Sequence, residues 1–293
     1  MVKTIFKLLL AVLIYTVIFS IANNVLPFSV GFKELAASGS ANPLMSVLFI
    51  VINAAWTCFV VFFLIKHSSR TGKKLFLNVL CVIFFIQCFM TQIETLYFSS
   101  VFPALTTLDA VLIMAAGLLP LLAVIPLLIK FFQNKDAVQE KVPLNIKSLA
   151  IKLGILSVIY VCVYMVFGYF VAWQFKDLRI FYSGSPDKLS FFEKLLDNIQ
   201  TDPLIFPFQI LRGVLFGLFI IPLKIMISKS RAIFIASVCL VYLCTALMLI
   251  IPNPLFPDPV RFAHLLEMTS SMLLFGLIAG FIFWGRDKTK SRG

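Results

Sequence analysis

Apolar stretches of roughly twenty residues alternate with short polar breaks along the chain, and that is the length an α-helix needs to cross about 30 Å of hydrocarbon. They predict eight spans, near 8–28, 44–65, 75–97, 105–129, 149–173, 205–223, 232–251 and 262–285. A β-barrel would show short alternating segments instead. The expected fold is therefore all-α: a polytopic transmembrane helical bundle occupying residues 1–293 as one integral membrane domain.

The breaks also orient the bundle. If the N-terminus is cytoplasmic, the inner segments hold Lys3, Lys7, Lys66, Arg70, Lys73, Lys74, Lys130, Lys135, Lys141, Lys147, Lys224, Lys229, Arg231, Arg286, Lys288, Lys290 and Arg292. The outer segments hold Lys33, Lys176, Arg179, Lys188, Lys194 and Arg261. The excess recurs loop by loop, so the positive-inside rule puts both termini in the cytoplasm. The expected location is a bacterial cytoplasmic (inner) membrane, with the lipid bilayer as the first partner.

The longest outer loop, 174–204, carries the turn cluster Tyr182-Ser-Gly-Ser-Pro186 and then Ser190-Phe-Phe-Glu193, a capping box that should start a short helix. Phe191, Phe192, Leu195, Leu196 and Ile199 would share one face, with Lys194, Asp197 and Asn198 on the other. Such a helix lies in the membrane interface or acts as a lid over the spans.

Composition agrees with a membrane solvent: 61% of residues are hydrophobic and 13% charged, with a mean hydropathy of +1.02. The net charge of +12 does not indicate a nucleic-acid partner, because the basic residues are scattered between apolar runs. Cys58, Cys81, Cys88, Cys162, Cys239 and Cys244 lie inside apolar stretches without metal-ligand spacing. The N-terminal run resembles a signal peptide, but its apolar stretch continues to about Phe28 and reads as the first span.

Gly213-Val-Leu-Phe-Gly217 and Gly276-Leu-Ile-Ala-Gly280 fit the spacing that lets helix backbones approach closely. Pro120 and Pro126 should kink or break the fourth span. In both halves of the chain a tight basic inner loop joins the second and third spans, and a proline-containing outer loop the third and fourth. That likeness would make the halves parallel repeats.

Ionisable residues are costly in hydrocarbon, so each marks a candidate site. Glu94, Asp109, Arg212, His264 and Glu267 all fall in the outer halves of their spans, with Asn53, Gln92 and Gln209 in the same layer. Gln87, Thr91 and Glu94 form one helical stripe; Arg261, His264, Glu267 and Ser271 form another. Arg212 and Glu267 reach similar depth, roughly 10 Å from the outer ends, and are expected to pair. The candidate ligand-binding residues are Glu94, Gln92, Gln209, Arg212, Arg261, His264 and Glu267, with no metal site, because the only other histidine, His67, lies across the membrane. Ser270 and Ser271 near His264 lack a nucleophile elbow.

An outward-facing polar cluster walled by apolar helices suits transport or binding of a small polar or anionic solute or a lipid headgroup, with Arg212 neutralising an anion. The competing expectations are an intramembrane enzyme acting on a lipid or lipid-linked substrate, with His264 or Glu267 as base, and a structural or assembly subunit of a membrane complex. Nothing in the sequence points to a particular cofactor or oligomeric state.

Overall fold

A computed structural model describes residues 2–38, 42–134 and 145–284. Lys135, Lys141, Arg286, Lys288, Lys290 and Arg292 of the inner segments, and residue 285 at the expected end of the eighth span, lie outside the described residues.

Eight helices are long and apolar enough to cross a membrane, and each coincides with an expected span. In chain order the first two are α1 (Val2–Val25) and, after the short outer helix α2 (Val30–Ser38), α3 (Pro43–His67). The third span is α4 (Gly72–Ile83), a π-helical stretch (Phe84–Phe89) and α5 (Met90–Tyr97). Then come α6 (Thr107–Phe132) and α7 (Ile146–Phe170), the outer helices α8 (Lys176–Ser183) and α9 (Phe191–Thr201), and the last three spans, α10 (Ile205–Met226), α11 (Arg231–Leu247) and α12 (Asp258–Trp284).

The polar breaks double as start signals. Asn42 caps α3 ahead of Pro43, Asn145 caps α7 and Ser230 caps α11, each accepting from an otherwise unpaired first-turn N–H. Asp109 belongs to this class too. It completes a capping box with Thr106 and accepts from the backbone N–H and hydroxyl of Ser29 at 2.7 and 2.6 Å. It anchors the start of α6 to the start of α2, apart from the polar cluster where the sequence grouped it. α6 runs through Pro120 and Pro126 as one helix, although each proline lacks the N–H that would complete the ladder.

Both glycine pairs sit at helix crossings. A Cβ on Gly213 would lie 2.6 Å from Ser157 Cα on α7, and one on Gly276 3.0 Å from Cys239 Cα on α11. Only hydrogen at these positions allows the backbones this close.

The pattern of neighbours repeats between the halves. In the first, span 1 packs on spans 2 and 4, span 4 on spans 2 and 3, and span 2 on span 3. In the second, span 5 packs on spans 6 and 8, span 8 on spans 6 and 7, and span 6 on span 7. Across the divide, span 3 meets span 6 and span 7 meets span 2, the same pairing with the halves exchanged, while spans 3 and 7 touch each other. The same neighbour pattern thus recurs in both four-span halves, as parallel repeats would give.

Candidate functional site

Arg212 stands on α10 about two turns from its outer end and is 1% exposed. Its Nη1 and Nη2 donate to Oε1 and Oε2 of Glu94 at 2.5 and 2.6 Å. Nη1 also donates to Gln209 Oε1 at 3.0 Å, one helical turn away on α10. The rings of Tyr160, Phe208 and Phe216 lie 5.5, 5.8 and 5.9 Å from the guanidinium carbon. This is a two-point, charge-assisted pair inside an aromatic wall.

Arg212 therefore pairs with Glu94 and not with Glu267 as the sequence suggested. Counting residues along a helix gives depth but not azimuth, and the π-helical stretch changes the azimuth on the third span. One extra residue in a turn rotates everything beyond it by about 100° relative to a regular helix. The expected stripe is divided accordingly. Gln87 exchanges hydrogen bonds with Thr57 on α3, Thr91 bonds its own helix carbonyls, and Glu94 faces α10.

Glu267 lies nearby on α12 with weaker company. Ser271 Oγ donates to it at 3.4 Å, and His264 Nδ1 is 3.7 Å from Oε2. The other imidazole nitrogen, Nε2, is 2.9 Å from the hydroxyl of Tyr182 on α8. Burial, reinforced by the charges of Glu94 and Glu267, pushes the Tyr182 phenol well above its ordinary range. Its hydroxyl keeps its proton and is hydrogen-bonded to Nε2, while Nδ1 faces Glu267. The three form a chain from the outer helix into the eighth span.

On α7 the Tyr160 ring lies 5.5 Å from the Arg212 guanidinium carbon, and Tyr164 lies beside Tyr160 at 6.5 Å between ring centroids. Neither hydroxyl has a hydrogen-bond partner among the described residues, although Tyr160 is 1% exposed. These tyrosines and Tyr182 were missed in the sequence. Their signal was a phenol in an otherwise apolar span, and, for Tyr182, a position in a turn cluster.

Two of the expected site residues take other work. Arg261 donates to the Leu249 and Ile250 carbonyls at 3.0 and 2.8 Å and to Asp258 at 2.6 Å, capping the outer end of the seventh span. Gln92 is buried, and its amide nitrogen reaches only the hydroxyl of its neighbour Thr91, at 3.5 Å.

The outer mouth is closed by rings from both halves. Phe102 meets Phe256 edge-on at 5.3 Å, Phe98 meets Tyr182 at 6.3 Å, and Tyr97 stacks on Phe208 at 4.1 Å. The helix over the site is α8, which packs on α12. The expected helix does form as α9, with its capping box, but Phe192, Leu196 and Ile199 point outward and Phe191 rests on Tyr169 and Phe170. α9 thus has the exposed apolar face of an interfacial helix.

Among the described residues no three His, Cys, Asp or Glu side chains gather as a metal site would require. Comparison of the chain with protein-family models, curated proteins and solved structures finds no match.

Proposed function

We propose that this multi-pass membrane protein is a carrier of small polar solutes, working in a bacterial cytoplasmic membrane with its basic loops inside. The observation that carries this reading is that Glu94 and Arg212 come from opposite four-span repeats and meet at their interface. Carriers built from parallel repeats hold their solute where the repeats meet and alternate access by rocking one against the other. A paired charge there can hold the repeats together in one state and exchange partners with a solute in another. The mouth rings Phe102 and Phe256, again from opposite halves, would part as the site opens outward.

The test joins flux to that mouth. In a variant without native cysteines, Phe102→Cys and Phe256→Cys are introduced and the protein is reconstituted into vesicles loaded with a small-molecule cell extract. At least one polar solute should leave in a protein-dependent manner, stop leaving when the two cysteines are oxidised to a disulfide, and leave again on reduction. Efflux identical to protein-free vesicles, or indifferent to the cross-link, would remove the carrier reading.

The order Tyr182, His264, Glu267 favours a second reading. A hydroxyl held by an imidazole that is oriented by a carboxylate is the arrangement of an activated nucleophile, and would suit an intramembrane enzyme acting on a lipid. Chemical turnover of added lipid by purified protein, lost in His264→Gln, would establish it in place of transport.

A further inference from the structure

We infer that the solute taken at this site bears an ammonium group, received by Glu267 beside His264 and Ser271; this rests on the carrier reading. The sequence pointed to an anion because Arg212 lies in the membrane. Its charge is already committed: both terminal nitrogens face the two oxygens of Glu94, and rings flank the guanidinium. An anion would have to expel a carboxylate held at two points. The guanidinium of Arg261 is likewise taken, by Asp258 and two carbonyls.

Glu267 is the reverse case. Its side chain is 9% exposed, and its neighbours are a hydroxyl at 3.4 Å and an imidazole at 3.7 Å. Among the described residues no lysine or arginine lies within ion-pair distance of Glu267, whose one ionisable partner is His264. A carboxyl in a membrane interior either takes up a proton or keeps its charge beside a cation, and a bound ammonium would supply that cation. The surrounding groups suit an organic cation better than a metal ion. The imidazole beside Glu267 is packed by the rings of Tyr182 and Phe256, at 5.7 and 5.4 Å between centroids, aromatic surroundings that suit an ammonium. A metal would need further anionic or imidazole ligands.

The source could be a free amine or the headgroup of an aminophospholipid, which share this chemistry. Binding of ethanolamine and of tetramethylammonium to the purified full-length protein in detergent, by calorimetry and thermal shift, tests the inference against phosphate and acetate at equal ionic strength. The ammonium probes should bind and raise the melting temperature while the anions do neither. Glu267→Gln should weaken ammonium binding roughly thirtyfold or more, the loss expected when one member of a desolvated charge pair is removed. Glu267→Asp, which keeps the charge should the amide variant fail to fold, should bind with intermediate affinity.

In nanodiscs of phosphatidylglycerol, added phosphatidylethanolamine should compete with ethanolamine if the amine is a lipid headgroup. If it is a free solute, ethanolamine affinity should be unchanged. Binding of the anions in place of the ammonium probes, or undiminished ammonium binding by Glu267→Gln, would overturn the ammonium assignment and leave the carrier standing. No binding by any probe, together with no flux, would overturn both.

Discussion

Arg212 and Glu94 are 118 residues apart in the chain and belong to different four-span halves, yet they form the only two-point ion pair among the described residues. Removing one member of such a buried pair strands the other charge in a low-dielectric site, whereas removing both leaves neutral groups able to bond each other. Arg212→Gln and Glu94→Gln should therefore each cost about 3–5 kcal/mol, and the double variant clearly less than their sum. Thermal unfolding in detergent of the four proteins closes the cycle. Strictly additive losses would mean that the two residues do not meet, and rescue of Arg212→Gln by Glu267→Gln instead would restore the pairing suggested by depth alone.

The glycines separate close packing from mere smallness. On Gly213 a methyl would meet Ser157 backbone at 2.6 Å, whereas at Gly154 and Gly168 it would meet nothing within 4 Å. Gly213→Ala should lower the melting temperature by an amount matching about 1–3 kcal/mol of overpacking. Gly154→Ala and Gly168→Ala, inside the same neighbouring helix, should be neutral or stabilising because alanine is the better helix former. Equal effects at all three positions would argue against the α7–α10 crossing.

The spans and the capping boxes were legible because length, apolarity and first-turn side chains act locally. The layer of polar residues was legible for the same reason. What could not be read was azimuth. The π-helical stretch at Phe84–Phe89 has no sequence signature, and it turns Gln87 toward Thr57 and Glu94 toward Arg212. Asp109 is a buried acid that looked like part of the polar cluster because its partner, Ser29, lies 80 residues earlier. The sequence allowed α9 to be an interfacial helix or a lid, and the long-range packing of Leu178 and Tyr182 on the eighth span, which makes α8 the cover, has no local signal.

The interfacial helix α9 should respond to acid. Hydrogen bonds from Ser190 hold the Glu193 carboxyl below the ordinary glutamate range. A carboxyl depressed in the folded state contributes stability above its unfolded pKa and loses it as the pH falls through the folded value. Lys194 lies over the Trp173 ring at 4.5 Å, so Trp173 emission, in a protein with Trp56 and Trp284 replaced by Phe, reports the docking of α9. Emission should change as the pH drops below the ordinary glutamate range, and Glu193→Gln should reduce the amplitude. An unaltered titration in that variant would assign the response to another group.

Orientation is checked most directly at two exposed positions, Asp187 in the outer loop and Lys74 at the start of α4. In a variant without native cysteines, Asp187→Cys should react with an impermeant maleimide in intact cells. Lys74→Cys should react only after permeabilisation. The opposite pattern would turn the polar site toward the cytoplasm.

The repeated neighbour map implies that each set of four spans is a folding unit, because every span packs on others of its own half. The contacts between halves include, besides helix packing of span 3 on span 6 and span 2 on span 7, the ion pair of Glu94 with Arg212 and the stacking of Phe85 on Phe219 at 4.5 Å. Cutting the chain between residues 134 and 145 should consequently leave two fragments that each insert, since helices that are stable across a bilayer can associate afterwards. Co-expressed with a tag on one fragment only, they should purify together. Glu94→Gln in the first fragment should lower the yield of the second, and Arg212→Gln in the second should restore part of it, because the lone guanidinium is then no longer stranded at the interface. Fragments that insert but never co-purify would show that covalent linkage, and not the charge pair at the crossing, holds the two repeats together.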